Sequence, residues 1–292
     1  MTGSSIPLDL EDREIRIIGP RRSGKTTYLA ALAYSSNLGQ NTPIQAISPF
    51  NQEAADLKNL AAEFLKEGQA LAFTDFNQSP ELYTFLITLK PRFQDYPLVS
   101  LKGGEVRLNV SCLEYAGELI AALRSSQRST TLRNYLDDCA QARGFMLLID
   151  AKSNLSDREY AEAFRVLEQE LNDRITGKRP LSDHRLAIVF TKGEMVWSQR
   201  DNIDSFVGLK FCEVQRVITS WRSVWKCPVN YFFCSAFGMR GTPPRPNVRV
   251  MRRSAEGVQA VIDMPNVWRP WGLVAPLYWL QTGKDDPKLR EI

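Results

Sequence analysis

Apolar residues occur along this chain in two patterns: short continuous runs, and longer stretches in which they recur every three or four positions. The short runs predict strands buried in a sheet, and the recurring spacing predicts helices that pack one face against it. Strands are predicted at about 14–18, 82–89, 105–113, 144–150, 185–190 and 229–234. Helices are predicted at about 24–36, 52–66, 157–174, 205–225 and 268–280.

The order of these elements predicts the sheet. The strands at 82–89 and 105–113 follow one another across a loop with Pro97 and two glycines, so we expect an antiparallel pair. Beyond residue 144 strands and helices alternate, which indicates parallel strands joined by crossover helices. We therefore expect a three-layer α/β fold, in which helices cover both faces of a mainly parallel mixed sheet with one antiparallel edge strand.

The chain shows no internal repeat, low-complexity run or linker. This predicts a single domain over residues 1–292. Its core is expected at about 13–281, with insertions at about 37–80 and 239–266.

Composition narrows the class of protein only slightly. The 292 residues are 43% hydrophobic and 24% charged, and the net charge of +4 is too small to indicate a nucleic-acid or membrane partner. The N-terminus lacks the layout of a signal peptide, and the apolar stretch at 268–280 is shorter than the roughly 20 residues that span a bilayer. The five cysteines include no C-x-x-C pair and are expected to be reduced, buried thiols. We expect a cytoplasmic protein without a membrane span.

The strongest chemical signal is the segment GPRRSGKT at 19–26, which follows an apolar strand and precedes a helix. It fits G-x-x-x-x-G-K-[ST], the Walker A phosphate-binding loop of nucleoside triphosphate sites. Its glycines let the backbone wrap around phosphate oxygens, with the helix N-terminus behind it. Lys25 is placed to reach the β- and γ-phosphates during catalysis, and the Thr26 hydroxyl to bind a Mg²⁺ ion that bridges them. The residues expected to contact the nucleotide here are Gly19, Arg22, Ser23, Gly24, Lys25, Thr26 and Thr27.

Three later segments follow this loop in order: LEYAGE at 113–118, VFTKGE at 189–194 and CSAF at 234–237. Together with the loop they resemble the GTPase domains of the Ras-like, translation-factor-related class. The resemblance extends from about residue 13 to residue 280, and it is the order of the motifs that carries it. It implies a Ras-like P-loop NTPase fold that binds GTP or GDP with Mg²⁺ and hydrolyses GTP.

The segment LEYAGE is similar to the D-x-x-G motif of that family, whose acid holds Mg²⁺ through water and whose glycine N–H meets the γ-phosphate. The resemblance assigns these roles to Glu114, which replaces the aspartate, and to Gly117. Glu118 stands where the family often has a water-orienting glutamine. A carboxylate there either orients or deprotonates the attacking water, or leaves hydrolysis slow, and the sequence does not choose between these outcomes.

The segment VFTKGE resembles the base-reading motif [NT]-K-x-D, whose acid accepts hydrogen bonds from guanine N1–H and the 2-amino group. By that resemblance Thr191 and Lys192 lie at the base, and Glu194, again in place of aspartate, reads its edge. Ser235 and Ala236 resemble the last guanine motif, in which a backbone N–H meets O6. Adenine offers no such pair of donors, so the resemblance implies a preference for GTP.

Two further roles are assigned among competing residues. The family has a switch threonine that coordinates Mg²⁺ ahead of the antiparallel strands. The candidates in that stretch are Thr42, Thr74, Ser79 and Thr84, and we choose Thr74. Arg21 and Arg22 fill loop positions where small residues are usual. Either one of them acts as an arginine finger in cis, or both are solvated loop residues.

An arginine-rich and proline-rich stretch follows the last motif. It is either a contact surface for an anionic partner or a solvated insertion, and no nucleic-acid-binding signature accompanies it. Its arginines are Arg240, Arg245, Arg249, Arg252 and Arg253.

Three functions are compatible with these features. The first is a GTP-dependent switch, in which GTP and Mg²⁺ order the segments near Thr74 and at 114–118, hydrolysis releases them, and a protein effector or activator is the partner. The second is an ATP-dependent enzyme that uses Asp150, at the end of the strand at 144–150, as the acid near Mg²⁺. The third is a nucleotide-binding scaffold with little or no hydrolysis. The opening GPRRSGKTTYLAAL, the long insertion before the antiparallel strands and the closing Trp-rich stretch WGLVAPLYWL look most like those of bacterial double-GTPase proteins. This resemblance implies a role in a signalling or conflict system.

Overall fold

The computed structural model describes residues 14–35, 42–67, 80–90, 106–115, 117–125, 129–142, 144–152, 155–174, 181–254 and 257–292. The strands of its main sheet are Glu14–Ile18 (β1), Ile44–Pro49 (β2), Glu81–Leu89 (β3), Val106–Glu114 (β4), Gly144–Asp150 (β5), Arg185–Thr191 (β6) and Val229–Phe233 (β7). They lie in the order β2-β3-β4-β1-β5-β6-β7.

The directions of the strands confirm the predicted mixed sheet. β4, β1, β5, β6 and β7 are parallel to one another, and β3 pairs antiparallel with β4. β2, which the apolar pattern did not indicate, pairs antiparallel with β3 and extends the sheet. Among its six residues only Ile47 is buried, so β2 carries too few core positions to be recognised from its own sequence.

Helices cover both faces of this sheet. They are Lys25–Tyr34 (α1), Gln52–Glu67 (α2), Glu118–Arg124 (α3), Thr130–Cys139 (α4), Asp157–Arg174 (α5), Ile203–Lys210 (α6), Cys212–Ser223 (α7), Ala275–Thr282 (α8) and Pro287–Arg290 (α9). Along β5, Met146 and Leu148 pack in one apolar core with α1, α2 and α8. Phe145, Leu147 and Ile149 pack in the other, with α3, α4, α5 and α7. This is the predicted three-layer α/β arrangement, with the sheet topology of a Ras-like P-loop fold.

One predicted helix is wrong, because the stretch at 205–225 forms two helices that separate at Phe211. Phe211 has φ −135° and ψ 44°, and its buried ring lies 5.0 Å from the ring of Phe190. The carboxylate of Asp157 accepts hydrogen bonds from the N–H groups of Glu213 and Val214, which have no partner within α7. Long-range contacts thus interrupt a helix that the local apolar spacing would have continued.

Between β7 and α8 the chain forms two small antiparallel pairs. One joins Met239–Arg240 (β8) to Arg245–Pro246 (β9), and the other joins Val248–Ser254 (β10) to Gly257–Ile262 (β11). Ile262 is buried in the same core as residues of α2, so this segment packs on the body of the fold.

The described residues include no helix long and apolar enough to cross a membrane. All five cysteines are free, as their spacing predicted. Four of them are buried as predicted, but the prediction is wrong for Cys212, which is exposed.

Candidate nucleotide-binding site

The loop at 19–26 joins β1 to α1 and is tightly wound. Gly24 has φ 85° and Arg22 has φ 68°, so two backbone positions are left-handed, a conformation that glycine adopts without steric cost. A β-carbon on Gly19 would lie 2.6 Å from Ser23 Oγ, which leaves no space for a larger residue. Ser23 Oγ is buried and has no hydrogen-bond partner among the described residues. The loop therefore has the curled backbone that its motif predicted.

Lys25 is buried inside this loop. Its Nζ donates hydrogen bonds to the carbonyl oxygens of Gly19 at 3.0 Å and Pro20 at 3.2 Å. Burial lowers the pKa of Lys25, and the nearby carboxylates of Glu114 and Glu118 oppose that decrease. A partly desolvated ammonium at a helix N-terminus suits phosphate oxygens, which would form short, charge-assisted hydrogen bonds with it.

Thr26 and Glu114 form the second part of the site. Thr26 Oγ1, in the first turn of α1, donates a hydrogen bond of 2.6 Å to Oε1 of Glu114 at the end of β4. Glu114 is 1% exposed, and its Oε2 has no partner among the described residues. Burial raises the pKa of Glu114, although the charge of Lys25 and the hydrogen bond from Thr26 oppose the increase.

These two oxygen-bearing side chains fit the ligand preference of Mg²⁺. Within the described part of the chain, no group of three or more His, Cys, Asp or Glu residues could hold a metal ion by itself. A Mg²⁺ ion at Thr26 and Glu114 would therefore need phosphate oxygens as further ligands, as in P-loop enzymes.

The turn after β4 lies against the phosphate loop. A β-carbon on Gly117 would come within 2.3 Å of the backbone nitrogen of Arg21. Oε1 of Glu118 lies 3.3 Å from Nε of Arg21, in an ion pair whose side chains are 33% and 56% exposed. Oε2 of Glu118 is buried without a partner among the described residues. The fold thus brings Gly117, Glu118 and Arg21 together beside Lys25, and their catalytic roles stay predictions.

Sequence reasoning missed Tyr115, which anchors this turn. Its hydroxyl donates a hydrogen bond to the carboxylate of Asp138, which also accepts hydrogen bonds of 2.8 and 2.9 Å from Arg16. The Tyr115 ring packs edge-on against Tyr135, with centroids 5.0 Å apart. An aromatic residue directly after the acid of the motif was the available signal. β1 and α4 together hold the residue that follows Glu114.

The end of β6 is bonded to the opposite side of the loop. Thr191 Oγ1 donates a hydrogen bond of 2.6 Å to the carbonyl of Ser23. Lys192 Nζ donates one of 3.0 Å to the carbonyl of Arg22 and another to the carboxylate of Asp150. These contacts join positions 168 and 170 residues apart in the sequence, so the predicted base-reading segment meets the phosphate loop directly.

Asp150, at the end of β5, lies beside Lys192 in the predicted base-reading segment. Its carboxylate accepts hydrogen bonds from Lys192 Nζ and, at 2.9 Å, from the N–H of Lys152. The hydroxyl of Thr26 instead bonds Glu114. This geometry favours Glu114 over Asp150 as the acid beside a Mg²⁺ ion.

Glu194 is 4% exposed and lies next to Ser235. Burial raises the pKa of Glu194, and the nearby hydroxyl of Ser235 opposes the increase. Ser235 Oγ also accepts a hydrogen bond of 2.8 Å from the N–H of Gly238. Oε2 of Glu194 is buried and has no partner among the described residues. A buried carboxylate oxygen is costly unless donors satisfy it, so this position suits a ligand that presents N–H groups.

Two tryptophans that the motifs did not single out hold the segment after β7. Trp271 exchanges two backbone hydrogen bonds of 2.9 and 3.0 Å with Ser235. Trp268 Nε1 donates a hydrogen bond of 2.8 Å to the carbonyl of Ala236. The sequence assigned both tryptophans to a helix at 268–280, but α8 begins only at Ala275. Because both lie in the irregular segment before the helix, only the folded chain shows what they contact.

The last candidates are the hydroxyl residues considered for the switch threonine. Thr74 lies outside the described residues. Of its competitors, Thr42 donates a hydrogen bond of 3.0 Å to the carbonyl of Ile44, and Thr84 lies within the sheet, 3.3 Å from the hydroxyl of Ser111. Neither contact points to a metal site.

The arginine-rich stretch is partly neutralised. Arg240 forms an ion pair of 2.7 Å with Asp263, whereas Arg245 and Arg249 are exposed. Arg252 and Arg253 lie in β10. Both interpretations of the stretch, a contact surface and a solvated insertion, stay open.

Comparisons with known proteins add no family assignment. The chain matches no known protein family, and no curated protein sequence matches it. Among solved structures, it is similar to the signal recognition particle receptor SRb-GTP/SRX complex from Chaetomium thermophilum, with 12% identity, a TM-score of 0.40 and coverage of 78% of this chain and 92% of that chain. It is also similar to the S. cerevisiae Ski7 GTPase-like domain bound to GTP, with 13% identity, a TM-score of 0.43 and coverage of 96% and 50%. TM-scores this low support no statement about the activity of this chain.

Proposed function

We propose that this protein binds GTP with Mg²⁺, hydrolyses it to GDP and phosphate, and acts as a nucleotide-dependent switch. The observation that carries the proposal is the buried, unpartnered Oε2 of Glu194, in a segment bonded directly to the phosphate loop. Guanine presents N1–H and the 2-amino group as paired donors, and adenine presents no such pair. Of these two bases, only guanine would place such a pair of donors beside this oxygen.

In this proposal each part of the site has one task. Lys25 and the loop N–H groups bind the phosphates. Thr26 and Glu114 would hold a Mg²⁺ ion directly or through water, and the bound ion would neutralise phosphate charge. Water attacks the γ-phosphorus, a bond forms between the water oxygen and phosphorus, and the bond from phosphorus to the β–γ bridging oxygen breaks. Glu118 orients the water, and Arg21 or Arg22 stabilises the developing charge.

One contact favours a second candidate, a nucleotide-binding scaffold with little or no hydrolysis. Oε1 of Glu118 is paired with Arg21, so only one of its two carboxylate oxygens is left to orient a water molecule. An ATP-dependent enzyme is less well supported, because Asp150 bonds Lys192 and Lys152 while Thr26 bonds Glu114.

The biological setting rests on resemblance alone. We infer a bacterial, cytoplasmic protein that works with a protein effector or activator in a signalling or conflict system, as double-GTPase proteins are thought to do. A single domain, with insertions at about 37–80 and 239–266, is part of the same proposal.

The proposal is tested by titrating labelled GTP and ATP with Mg²⁺ against wild type, Lys25→Ala and Glu194→Ala. Lys25→Ala should lower the affinity for both nucleotides by about tenfold to a hundredfold, because it removes charge-assisted hydrogen bonds to phosphate. Glu194→Ala should lower the affinity for GTP and leave the affinity for ATP unchanged. Lys210→Ala, which removes an exposed lysine of α6, is the matched control and should change neither affinity.

Single-turnover hydrolysis in the wild type then separates the switch from the scaffold. A wild type that binds ATP more tightly than GTP would overturn the proposal. Tight binding of GTP without turnover would favour the scaffold.

A further inference from the structure

We propose that Trp271 is a positioning residue that holds Glu194 against the 2-amino group of guanine and so sets the selectivity of the site. This inference rests on the proposed function, since it concerns how that site reads its base. It assigns a task to a residue outside the four motifs.

The ring of Trp271 packs against the residue that precedes Glu194. A β-carbon on Gly193 would lie 2.7 Å from Cη2 and 3.0 Å from Cζ2 of Trp271, so the indole ring is in contact with the Gly193 backbone. On another side, the N–H of Gly193 donates a hydrogen bond of 2.9 Å to the carbonyl of Cys234. The backbone leading into Glu194 is therefore held between the end of β7 and the Trp271 ring.

Trp271 also holds the backbone of Ser235, whose hydroxyl lies near the Glu194 carboxylate. Its N–H and carbonyl pair with the carbonyl and N–H of Ser235 at 3.0 and 2.9 Å, and the nearby Ser235 hydroxyl opposes the increase in the pKa of Glu194. Trp271 thus contacts both the backbone that precedes Glu194 and the backbone of the residue beside its carboxylate. A carboxylate restrained in this way keeps its second oxygen aimed at one position, which discrimination between similar bases requires.

Trp271 is itself well anchored. Its ring packs edge-on against Trp197 at 5.5 Å. The next residue, Gly272, has φ 70° and donates its N–H to the carbonyl of Ile292 at 2.7 Å. A β-carbon on Gly272 would come within 2.2 Å of the carbonyl oxygen of Phe233, so this backbone cannot shift without disturbing β7.

Trp268 contacts a different part of the proposed site from Trp271. Its indole N–H bonds the carbonyl of Ala236, and its ring lies 5.2 Å from that of Tyr34. In the proposed site Ala236 meets guanine O6, which inosine shares, whereas Glu194 reads the 2-amino group, which inosine lacks. Removing the contacts of Trp268 should therefore weaken binding of guanosine and inosine nucleotides equally. Removing those of Trp271 should lower the ratio of the two affinities.

The test is the affinity for GDP and IDP with Mg²⁺, which avoids hydrolysis during the measurement. The wild type should bind GDP at least about tenfold more tightly than IDP, as expected for one additional hydrogen bond to a charged group. Trp271→Phe keeps the backbone pairing with Ser235 but lacks the outer ring atoms that touch Gly193. It should reduce the ratio of affinities severalfold.

Two other variants serve as references. Trp268→Phe should lower the affinities for GDP and IDP by the same factor and so leave their ratio unchanged. Trp221→Phe is the matched control, because Trp221 is also a buried tryptophan whose Nε1 has no partner among the described residues, but it belongs to α7 and not to the segment that pairs with Ser235. It should leave both affinities unchanged.

An unchanged ratio in a folded Trp271→Phe variant, in a protein whose wild type prefers GDP, would overturn the positioning role alone. An equal fall of this ratio in Trp268→Phe would also overturn the positioning role, because a general loss of packing around the site would then explain both variants. A wild type without any preference would overturn the proposed function and this inference with it. If Trp271→Phe does not fold, Gly193→Ala, which pushes on the same ring, should give the same loss of ratio.

Discussion

Gly117 lies directly against Arg21: a β-carbon on Gly117 would be 2.3 Å from the backbone nitrogen of Arg21 and 2.6 Å from its Cα. Real β-carbons do not approach backbone atoms so closely, so the turn after β4 and the phosphate loop touch without a side chain between them. The glycine of this turn is therefore required by packing as well as by any contact with a γ-phosphate.

Gly117→Ala should destabilise the protein by about 1–3 kcal/mol, because the turn or the loop must move to admit the methyl group. Urea unfolding measures the change. Gly208→Ala is the matched control: Gly208 lies in α6, where the nearest atom to an added β-carbon is 3.8 Å away. That substitution should be neutral or stabilising by about 0.5–1 kcal/mol, since alanine favours a helix. Equal losses in both variants would refute the packing argument.

The contact between Thr26 and Glu114 predicts which acid serves Mg²⁺. Glu114→Gln should raise the Mg²⁺ concentration needed for half-maximal nucleotide binding by about tenfold, because the ion or its waters lose a charged partner. Asp150→Asn should leave the Mg²⁺ requirement unchanged, since Asp150 bonds Lys192. Titration of Mg²⁺ at fixed nucleotide concentration compares the two, and the opposite ranking would favour the ATP-dependent alternative.

The burial of Glu194 predicts how stability depends on pH. Burial raises the pKa of Glu194 above the ordinary value of 4.5, so the folded protein retains a proton that the unfolded chain releases. The resulting stabilisation is fully present below pH 4.5 and is lost as pH rises through the raised pKa. Glu194→Gln cannot lose this proton. Above pH 4.5, wild type should therefore lose free energy of unfolding relative to Glu194→Gln.

Glu159→Gln is the control for this pH dependence. Hydrogen bonds from Ser156 lower the pKa of Glu159, so its stabilisation is present above pH 4.5 and is lost as pH falls through the lowered pKa. The two variants should differ from wild type in opposite directions and in different pH ranges. Urea unfolding at several pH values measures both, and identical profiles would contradict the assignment.

Arg21 is the loop arginine whose position is tied to the turn after β4. Arg21→Ala should change the free energy of unfolding by less than about 1 kcal/mol, because its pair with Glu118 is largely solvated. If Arg21 is a finger, single-turnover hydrolysis of GTP should fall by about a thousandfold or more while GTP affinity stays the same. Arg22→Ala tested in parallel distinguishes the two arginines. An unchanged rate in both variants would leave them as solvated loop residues.

Much of this fold could be predicted because its signals are local. The strand Gly144–Asp150 and the helix Asp157–Arg174 have the predicted bounds, since a continuous apolar run and a three-to-four spacing each describe one element by itself. The phosphate loop is local in the same sense, because its glycines, lysine and threonine lie within eight positions.

Other features depend on contacts between distant residues, which no local pattern records. Phe211 ends a helix because Asp157 caps the next one. β2 pairs with β3 although its own residues bury little.

By itself, then, the sequence determined the phosphate loop, the alternation of strands and helices, and the order of motifs that resembles a GTPase. Only the tertiary structure decided that Thr26 bonds Glu114 and not Asp150, that Tyr115 anchors the turn after β4, and that Trp271 lies against Gly193. The physical reason is that backbone preference and apolar spacing act over a few residues, whereas the partner of a buried polar group or ring is chosen by how the layers pack.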